Sequence, residues 1–528
     1  MFVCRVRPSL PSQRHHRVLT LCGSDESDRH ATTISTIPDD VLLNIFDFCR
    51  EDEDYAIHCA IHCLQDRDWN SSWNSWKWQL LVHVCRRWRE LVFASPRRLN
   101  LRIPCTRRTL VRKNLGIWPA LPIDVDDHDF LYNITRGDNI FAALKHLDRV
   151  YHVRLSLSDS QVERMATEMQ EPSPVLTRLF IASGRHDNVP ALPAQFLGGS
   201  APRLQAIGLC YIPYPALPTL LLSTSDLVKL DLKNIPPAGY VSPEAMVASL
   251  AALPKLEIFV MQFEWHTYLP NQIGPPPQAP LTRTILPALA YFVFRGDNEY
   301  LEDLVGRIDG PRLKHISIAT LYQPVGFQVA QLSRFIDQSV GPKLAQCRHA
   351  EVSFHRSFFY RTVTFNFCHR PDDPGQDRTT IISYEGIDWE TFGETTEMLR
   401  QFPVTLSNVV HLQITCNLNF SVYLPEDQAE GVSIQVFQLI RQFPAMKTLR
   451  IDSELSEFVA SILGHTTEVM MTVALPSLEL LCLEEYCQHS VQVDKFVAAR
   501  RHSDHPVTIV NTNKEFREIL ESYISQNE

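Results

Sequence analysis

The residue types best suited to metal chemistry lie in one short cluster, where like pairs recur four residues apart. His58 and His62 would share one face of a helix, as would Cys59 and Cys63, and Cys49 lies upstream. A structural zinc site usually has four ligands at tight spacings, and no second Cys-x-x-Cys pair follows this cluster. Buried thiols and exposed imidazoles are therefore the favoured interpretation, and no metal is predicted.

A second cluster combines carboxylates with an imidazole near position 126. It consists of Asp124, Asp126, Asp127, His128 and Asp129. Such a cluster could bind a divalent ion, but the ligand spacing of an EF-hand is absent. We therefore predict that this segment is a solvated junction between two folded regions and not a metal site.

Sequence motifs for catalysis are absent from the chain. It contains no G-x-S-x-G, G-x-x-x-x-G-K-[ST], G-x-G-x-x-G or H-E-x-x-H motif. Only 19 of the 528 residues are glycine, which argues against a fold built on glycine-rich phosphate loops. No catalytic residue and no cofactor are predicted, and an unrecognised α/β enzyme is a remote alternative.

Composition and charge narrow the class of protein. Hydrophobic residues make up 45% and charged residues 21% of the chain, as in folded globular proteins. The formal net charge of −10 gives no attraction to nucleic acid or to an anionic membrane, and no run of about 18 apolar residues predicts a transmembrane helix. The 13 irregularly spaced cysteines favour a reducing compartment, cytoplasmic or nuclear. Residues 1–33 are expected to be a disordered leader, with a transit peptide as the alternative.

Two apolar stripes with helical spacing predict the elements of a small helical region. The first predicted helix, from about Asp39, carries its stripe at Val41, Leu42, Ile45, Phe46 and Phe48. The second predicted helix, which Pro96 closes, carries one continuous stripe at Leu81, Val84, Cys85, Trp88, Leu91 and Val92. Both stripes are wide for so small a unit, which indicates an apolar surface that is available to a partner.

These two segments together resemble an F-box. Residues 37–46 (IPDDVLLNIF) match its Leu-Pro opening and its Leu-Leu/Ile helix, and residues 81–89 (LVHVCRRWR) match its closing Val-Cys-x-x-Trp helix. The chain is similar to the F-box proteins that are abundant in mushroom-forming fungi. Further similarity to them lies at residues 93–101, 117–122, 196–204 and 299–304.

The resemblance implies a three-helix unit that docks on a Skp-type adaptor protein, which links it to a cullin–RING ubiquitin ligase. Aliphatic and tryptophan anchors at helical spacing suit a helix-in-groove interface. The implied docking and packing positions are Ile37, Pro38, Leu42, Leu43, Ile45, Phe46, Leu81, Val84, Cys85, Trp88 and Leu91.

The chain departs from the F-box pattern in an insertion at residues 50–77. The insertion is acidic at its start and contains Trp69, Trp73 and Trp76, which would share one face of a helix. We expect this helix to cover the core of the F-box unit. An exposed aromatic site for a partner is the alternative.

The C-terminal two thirds of the chain repeat a strand unit of the form L-x-x-L-x-L ten times. The units begin at positions 150, 176, 204, 227, 256, 289, 313, 409, 446 and 478. The first seven begin 23 to 33 residues apart, close to the leucine-rich-repeat period of about 20–29. Helix-like stretches between the units predict a solenoid of alternating strands and helices. Residues 361–397 lack a clean unit and are predicted to be a hairpin or an insert.

The predicted fold is therefore α/β, with a small all-α F-box helical unit followed by an irregular leucine-rich-repeat-like solenoid. The predicted segments are residues 1–33 (leader), 34–100 (F-box unit with the insertion at 50–77), 101–145 (junction) and 146–528 (substrate-binding repeat region). Function in such arrays lies on the variable strand positions and on loops. The candidate substrate-binding residues are Arg154, Arg178, Lys229, Asp231, His315 and His411.

The expected function is that of a substrate-recognition adaptor in an SCF-type (Skp–cullin–F-box) ubiquitin ligase. Its expected partners are the Skp-type adaptor protein, through it the cullin–RING ligase, and a protein substrate that the sequence does not identify. Neither nucleic acid nor a membrane is an expected partner. The alternative is a non-catalytic F-box and repeat scaffold that acts outside ubiquitination.

Overall fold

The computed structural model describes fifteen ranges of the chain. They are residues 36–47, 77–106, 111–127, 138–184, 189–264, 283–321, 330–341, 346–356, 361–368, 378–386, 406–417, 438–452, 475–483, 491–502 and 505–511. The predicted leader, the histidine and cysteine cluster at 58–63, and Trp69, Trp73 and Trp76 of the insertion lie outside these ranges.

The chain divides into two compact units. The described residues 36–47 and 77–99 form the helical unit, and the described residues from 100 onward form the sheet unit. The helical unit contains α1 (Asp39–Asp47), α2 (Lys77–Val82) and α3 (Arg86–Ala94). Within the described ranges, no helix of either unit is long and apolar enough to span a bilayer.

The strands of the sheet unit form one large sheet and one small sheet. Their bounds are β1 (Ile103–Cys105), β2 (Ile123–Asp127), β3 (Val150–Leu157), β4 (Arg178–Ser183), β5 (Ala206–Cys210), β6 (Lys229–Ile235), β7 (Ile258–Phe263), β8 (Thr284–Ile285), β9 (Tyr291–Gly296), β10 (Ile308–Asp309), β11 (His315–Leu321), β12 (His349–Arg356), β13 (Arg361–Cys368), β14 (Arg378–Gly386), β15 (His411–Asn417), β16 (Thr448–Ile451), β17 (Leu480–Leu483) and β18 (Thr508–Asn511). The large sheet has the order β1-β2-β3-β4-β5-β6-β7-β9-β11-β14-β13-β12-β15-β16-β17-β18, and β8 pairs with β10 in the small one.

Helices occupy many of the connections between these strands. They are α4 (Val111–Ile117), α5 (Asp138–Leu144), α6 (Asp159–Glu168), α7 (Leu217–Leu221), α8 (Pro243–Leu250), α9 (Asn298–Gly306), α10 (Ala330–Ser339) and α11 (Val491–His502). The prediction of a mixed α/β protein is therefore confirmed, and its strands are mainly parallel.

All ten predicted strand units coincide with parallel strands of the large sheet, namely β3–β7, β9, β11 and β15–β17. In the unit that forms β6, Leu227 lies in the turn before the strand, Leu230 and Leu232 lie within it, and all three are buried. The strand begins where the carbonyl of Gln205 accepts hydrogen bonds from two successive N–H groups, at 2.7 and 3.0 Å. The same doubled bond recurs at the start of seven other described strands, so one local geometry repeats along the sheet.

The predicted hairpin or insert at 361–397 is an antiparallel excursion in the large sheet. β13 pairs antiparallel with β12 and with β14, whereas β14 pairs parallel with β11 and β12 pairs parallel with β15. The chain therefore passes from β11 to a strand three places away and then fills the gap. Parallel pairing resumes at β15, so the sheet continues across the excursion.

The large sheet begins earlier than the sequence predicts. β1 and β2 lie in the stretch that was predicted to be a junction, and β2 pairs in parallel with β3. β1 contains Pro104 and forms the edge of the sheet, the position that suits a residue without a backbone N–H. β1 has three residues and β2 has five, and so few alternating positions do not distinguish a strand from a loop in the sequence.

One face of the sheet packs against helices. On this helix-packed face, the Phe292 ring contacts Phe335 of α10 at 5.7 Å, and Phe294 stacks on Tyr300 of α9 at 5.9 Å. One register level of this face, the central row, is fully buried from β2 to β11. It consists of Val125, Val153, Leu179, Ile207, Leu230, Phe259, Phe292 and Ile316. Because side chains alternate along a strand, the residues between these positions project to the opposite side, the second face.

Candidate functional site

The helical unit is held together by aromatic packing between α1 and α3. Phe46 of α1 is buried and meets the Trp88 ring edge-on, with the centroids 4.7 Å apart. Leu42 and Leu43 are buried beside it in α1. Trp78 of α2 is also buried, and its ring lies 6.2 Å from that of Phe93. These contacts bury Leu42 and Phe46 of the predicted α1 stripe and leave Val41 and Ile45 exposed.

The second predicted helix is two helices, so the prediction of one continuous helix is wrong. α2 ends at Val82 and α3 begins at Arg86. Cys85 between them has an extended backbone, with φ −156° and ψ 172°, and its sulfur accepts a hydrogen bond from the Trp88 N–H at 3.4 Å. Cys85 therefore caps α3. The apolar stripe continues through the break, which is why its spacing did not reveal the cap.

Two arginines connect α1 with the chain around α3. Arg87 donates to Asp39 at 3.1 Å and to the carbonyl of Ile37 at 2.6 Å. Arg98 donates to Asp47 at 3.2 Å. Exposed ion pairs of this kind contribute about 0–1 kcal/mol each, so they orient the helices more than they stabilise them. No signal in the sequence pairs residues that lie about 50 positions apart.

The implied docking positions separate into three groups by exposure. Leu42, Leu43 and Phe46 are buried; Ile37, Leu81, Trp88 and Leu91 are half-buried; Pro38, Ile45, Val84 and Cys85 are exposed. Two apolar residues outside the implied docking positions, Val41 and Leu80, are also exposed. Val41 and Ile45 share one side of α1, since they are four residues apart.

All six candidate substrate-binding residues lie on the second face of the sheet unit. In β2 to β11 this face has two complete register rows. One row is Asp124, His152, Arg178, Ala206, Lys229, Ile258, Tyr291 and His315. The next is Asp126, Arg154, Phe180, Gly208, Asp231, Val260, Val293 and Ser317. His411 lies on the same face of β15, because the buried Leu412 and Ile414 of that strand project to the opposite face.

The acid and histidine cluster at 124–129 is not a solvated junction, at least at its first residue. Asp124 is 4% exposed and its carboxylate lies 2.7 Å from Nδ1 of His152, which is also buried. Burial alone would raise the pKa of Asp124, but His152 and the cations Arg102 and Arg178 outweigh it, so this pKa lies below its usual value. Asp124 is therefore a buried anion that ties β2 to β3. His128 and Asp129 lie outside the described residues.

A second ion pair lies on β6, where Lys229 and Asp231 project from the same face. The lysine Nζ lies 3.4 Å from Asp231 Oδ2; Asp231 is buried, and the Lys229 side chain is 12% exposed. Burial lowers the pKa of Lys229, and Asp231 opposes that shift only in part. Beside Asp231, the Phe180 ring covers Gly208 so closely that a Cβ at position 208 would clash with it.

Two histidines stack on neighbouring strands beyond the antiparallel excursion. The rings of His349 on β12 and His411 on β15 lie 4.5 Å apart and nearly parallel, at 12°. Burial, followed by the positive charges of Arg348 and Lys447, lowers the pKa of His411. Burial and these two cations therefore favour the neutral form of His411 in the folded protein.

The residues that the structure describes form no metal site, and some of their cysteines are buried. No three His, Cys, Asp or Glu residues among the described ones are arranged to hold a metal ion. The thiols of Cys105 and Cys482 are buried, and burial raises the pKa of each to about 12. These two cysteines therefore act as small apolar side chains, as the sequence analysis predicts for buried thiols.

Comparison with known proteins adds no relative. No protein-family model matches the chain, and no curated protein matches it. Functional inference therefore depends on the two surfaces described above, namely the exposed apolar residues of the helical unit and the second face of the sheet unit.

The Asp124–His152 pair should be coupled in stability. We expect Asp124→Ala and His152→Ala each to lower the free energy of unfolding by about 1–3 kcal/mol, because each leaves a buried polar partner unsatisfied. The double variant should lose less than the sum of the two, since both remove the same contact. Urea unfolding of the four proteins measures this coupling, and Asp148→Ala, at an exposed position, is the control. Strictly additive losses would contradict the pairing.

Stability should fall in mild acid because of His411. Its lowered pKa means that the unfolded chain takes up a proton near pH 6.5 before the folded chain does, so stability is lost as the pH falls below about 6.5. His411→Gln should flatten the decline in the unfolding midpoint between pH 7.5 and 5.5. His502→Gln, at an exposed position in α11, should leave it unchanged. Equal pH profiles for wild type and His411→Gln would refute this assignment.

Proposed function

We propose that the chain is a substrate-recognition adaptor of an SCF-type ubiquitin ligase. In this proposal the helical unit is an F-box that binds a Skp-type adaptor protein, which recruits the cullin–RING ligase. The sheet unit is an irregular leucine-rich-repeat-like solenoid that binds the protein target. The chain itself performs no chemistry. It raises the effective concentration of the target near a ubiquitin-charged enzyme.

The observation that carries the proposal is the exposed apolar surface of the helical unit. Six large hydrophobic side chains are exposed among the described residues, and four of them belong to this unit, which contributes only 35 of those residues. The four are Val41, Ile45, Leu80 and Val84, with exposed fractions from 41% to 71%. Exposed aliphatic residues concentrated on two short helices and on the turn that follows the second suit a helix-in-groove interface with a protein partner.

The sheet unit supports the second half of the proposal. Its parallel strands follow one another at repeat-like intervals with one recurrent hydrogen-bonding geometry at their starts. The fully buried central row lies on the helix-packed face, so we infer that variable side chains of the second face suit a target. Both polar and apolar groups are present there.

The docking half is tested by two substitutions at exposed sites. Ile45→Asp/Val84→Asp should abolish capture by a purified Skp-type adaptor protein, with binding at least about tenfold weaker, because charged carboxylates would then have to enter an apolar groove. Both side chains are exposed, so the double variant should keep its fold and its thermal unfolding midpoint. Leu43 is buried, and a substitution there would test folding instead of docking.

The matched control is Leu222→Asp, an equally drastic change at an exposed leucine of the sheet unit. It should leave capture unchanged. Undiminished capture of the double variant would contradict the proposed docking surface. Capture of the Skp-type adaptor without a cullin subunit in co-purification would favour the scaffold that acts outside ubiquitination.

A further inference from the structure

The helix layer of the sheet unit contains a part that is almost free of charge. Three successive connections form it: residues 189–202 between β4 and β5, 211–225 between β5 and β6, and 235–253 between β6 and β7. The first two contain no Asp, Glu, Lys, Arg or His, and the third contains only Glu244, whereas 21% of the whole chain is charged. Glu244 pairs at 2.8 Å with Arg307, which follows α9. We call these three connections the charge-free surface.

The three connections are continuous with one another. The Leu192 N–H donates to the carbonyl of Pro213 at 2.9 Å, and the Ala201 N–H donates to Ser223 Oγ at 3.3 Å, so the first connection is bonded to the second at two places. α7 of the second connection packs against α8 of the third, and α8 packs against α9. Because α9 covers the helix-packed face of the sheet, the charge-free surface lies on that side, opposite the second face.

The exposed side chains of the charge-free surface are mostly small or aliphatic. Leu222, directly after α7, is 62% exposed. Further exposed residues, drawn from all three connections, are Ala194, Pro215, Thr219, Ala248 and Ala251. Alanine and proline side chains lose almost no rotamer freedom when a partner covers them. The surface can therefore be covered at a low cost in side-chain entropy.

Charge favours a second copy of this chain as the occupant. The formal net charge of −10 makes two copies repel each other over most of their surfaces. The helices on either side of the charge-free surface are acidic, since α6 has three acidic residues and one arginine, and α9 has three acidic residues and no basic one. Two copies meet the least repulsion where both are uncharged. A differently charged partner would lose hydration from its charges there without receiving a counter-charge.

The size of the surface suits a weak, reversible dimer. Helices in one layer lie about 8–10 Å apart, so three connections are about 25–30 Å wide. Strands of about six residues make the layer about 20 Å high. Each copy therefore contributes about 500–600 Å², and the two together bury about 1,000–1,200 Å², near the lower end of specific interfaces. We expect a dissociation constant on the order of micromolar.

We propose that the chain forms a symmetric dimer through the charge-free surface, with the same three connections of each copy facing each other across a twofold axis. The second face lies on the opposite side of the sheet and stays uncovered, so the dimer presents two target-binding faces. The inference goes beyond the proposed function, because it requires neither the Skp-type adaptor nor a target.

Sedimentation velocity of the full-length chain between about 1 and 100 µM tests the proposal, and a shift from monomer to dimer is expected over this range. Leu222→Asp and Ala248→Glu should each weaken association at least about tenfold, because each buries a charge without a partner. Ala498→Glu makes the matched change at an exposed alanine of α11 and should associate as the wild type does. All three positions are exposed, so each variant should keep the wild-type thermal unfolding midpoint.

Salt distinguishes this surface from an interface of ion pairs. Screening reduces the repulsion between two anionic copies, so association should strengthen between about 50 and 500 mM salt, whereas an ion-paired interface would weaken. Association that salt weakens would therefore overturn the proposal.

Three further outcomes would also overturn it. They are a wild type that stays monomeric at about 100 µM, a dimer that both variants leave intact, and a monomer that binds neutral phosphatidylcholine vesicles through Leu222, which would assign the surface to lipid. Sedimentation uses no Skp-type adaptor, so its failure leaves the docking surface of the helical unit intact. Failure of adaptor capture equally leaves the dimer result intact.

Discussion

The central row of buried side chains is the contact on which the sheet unit depends. Eight residues at one register level, from Val125 to Ile316, are fully buried against the helix-packed side. Each aliphatic or aromatic side chain buried in this way contributes about 1.5–3 kcal/mol, and the contribution requires every strand to keep the same register. A shift of one residue in any strand would turn its apolar side chain to the other face. The row therefore fixes which residues face the helices and which form the second face.

The strand register that the central row requires also determines which residues lie on the second face. Its positions lie outside the central row, and several of them hold charges. Where such charges lie largely away from water, the structure pairs them: Asp124 with His152, and Lys229 with Asp231. Such pairs add little net stability compared with apolar packing, but each is costly to break. The charged groups of the second face therefore add less to stability than the apolar side chains of the helix-packed face do.

The sequence predicts the parts of the fold that are periodic. All ten strand units were recognisable because their buried positions recur at fixed offsets, and eight of the ten strands start with the same doubled hydrogen bond. The antiparallel excursion was detectable only as a gap in the repeat. β1 and β2 escaped prediction because they are short, and their pairing is determined by the neighbouring strands. Of the two surfaces, the second-face positions could be selected by alternation, but the Asp124–His152 contact joins residues 28 positions apart that no local pattern connects.

The helical unit shows the opposite behaviour. Its apolar stripes predicted helices, but exposure could not be read from spacing, since Leu42 and Phe46 are buried whereas Val41 and Ile45 are exposed. The cap at Cys85 interrupts a stripe that looks continuous. Burial in so small a unit depends on which side chains meet across helices, and that is a property of the packed structure.

Hydrogen–deuterium exchange on the full-length chain, with and without a purified Skp-type adaptor protein, tests the central claim most directly. Adaptor docking is proposed for the helical unit and target binding for the sheet unit. Amide exchange should therefore be slower in residues 36–47 and 77–99 when the adaptor is present, and unchanged in the strands from β2 to β9. Slowed exchange in those strands, or no change in the helical unit, would contradict the account.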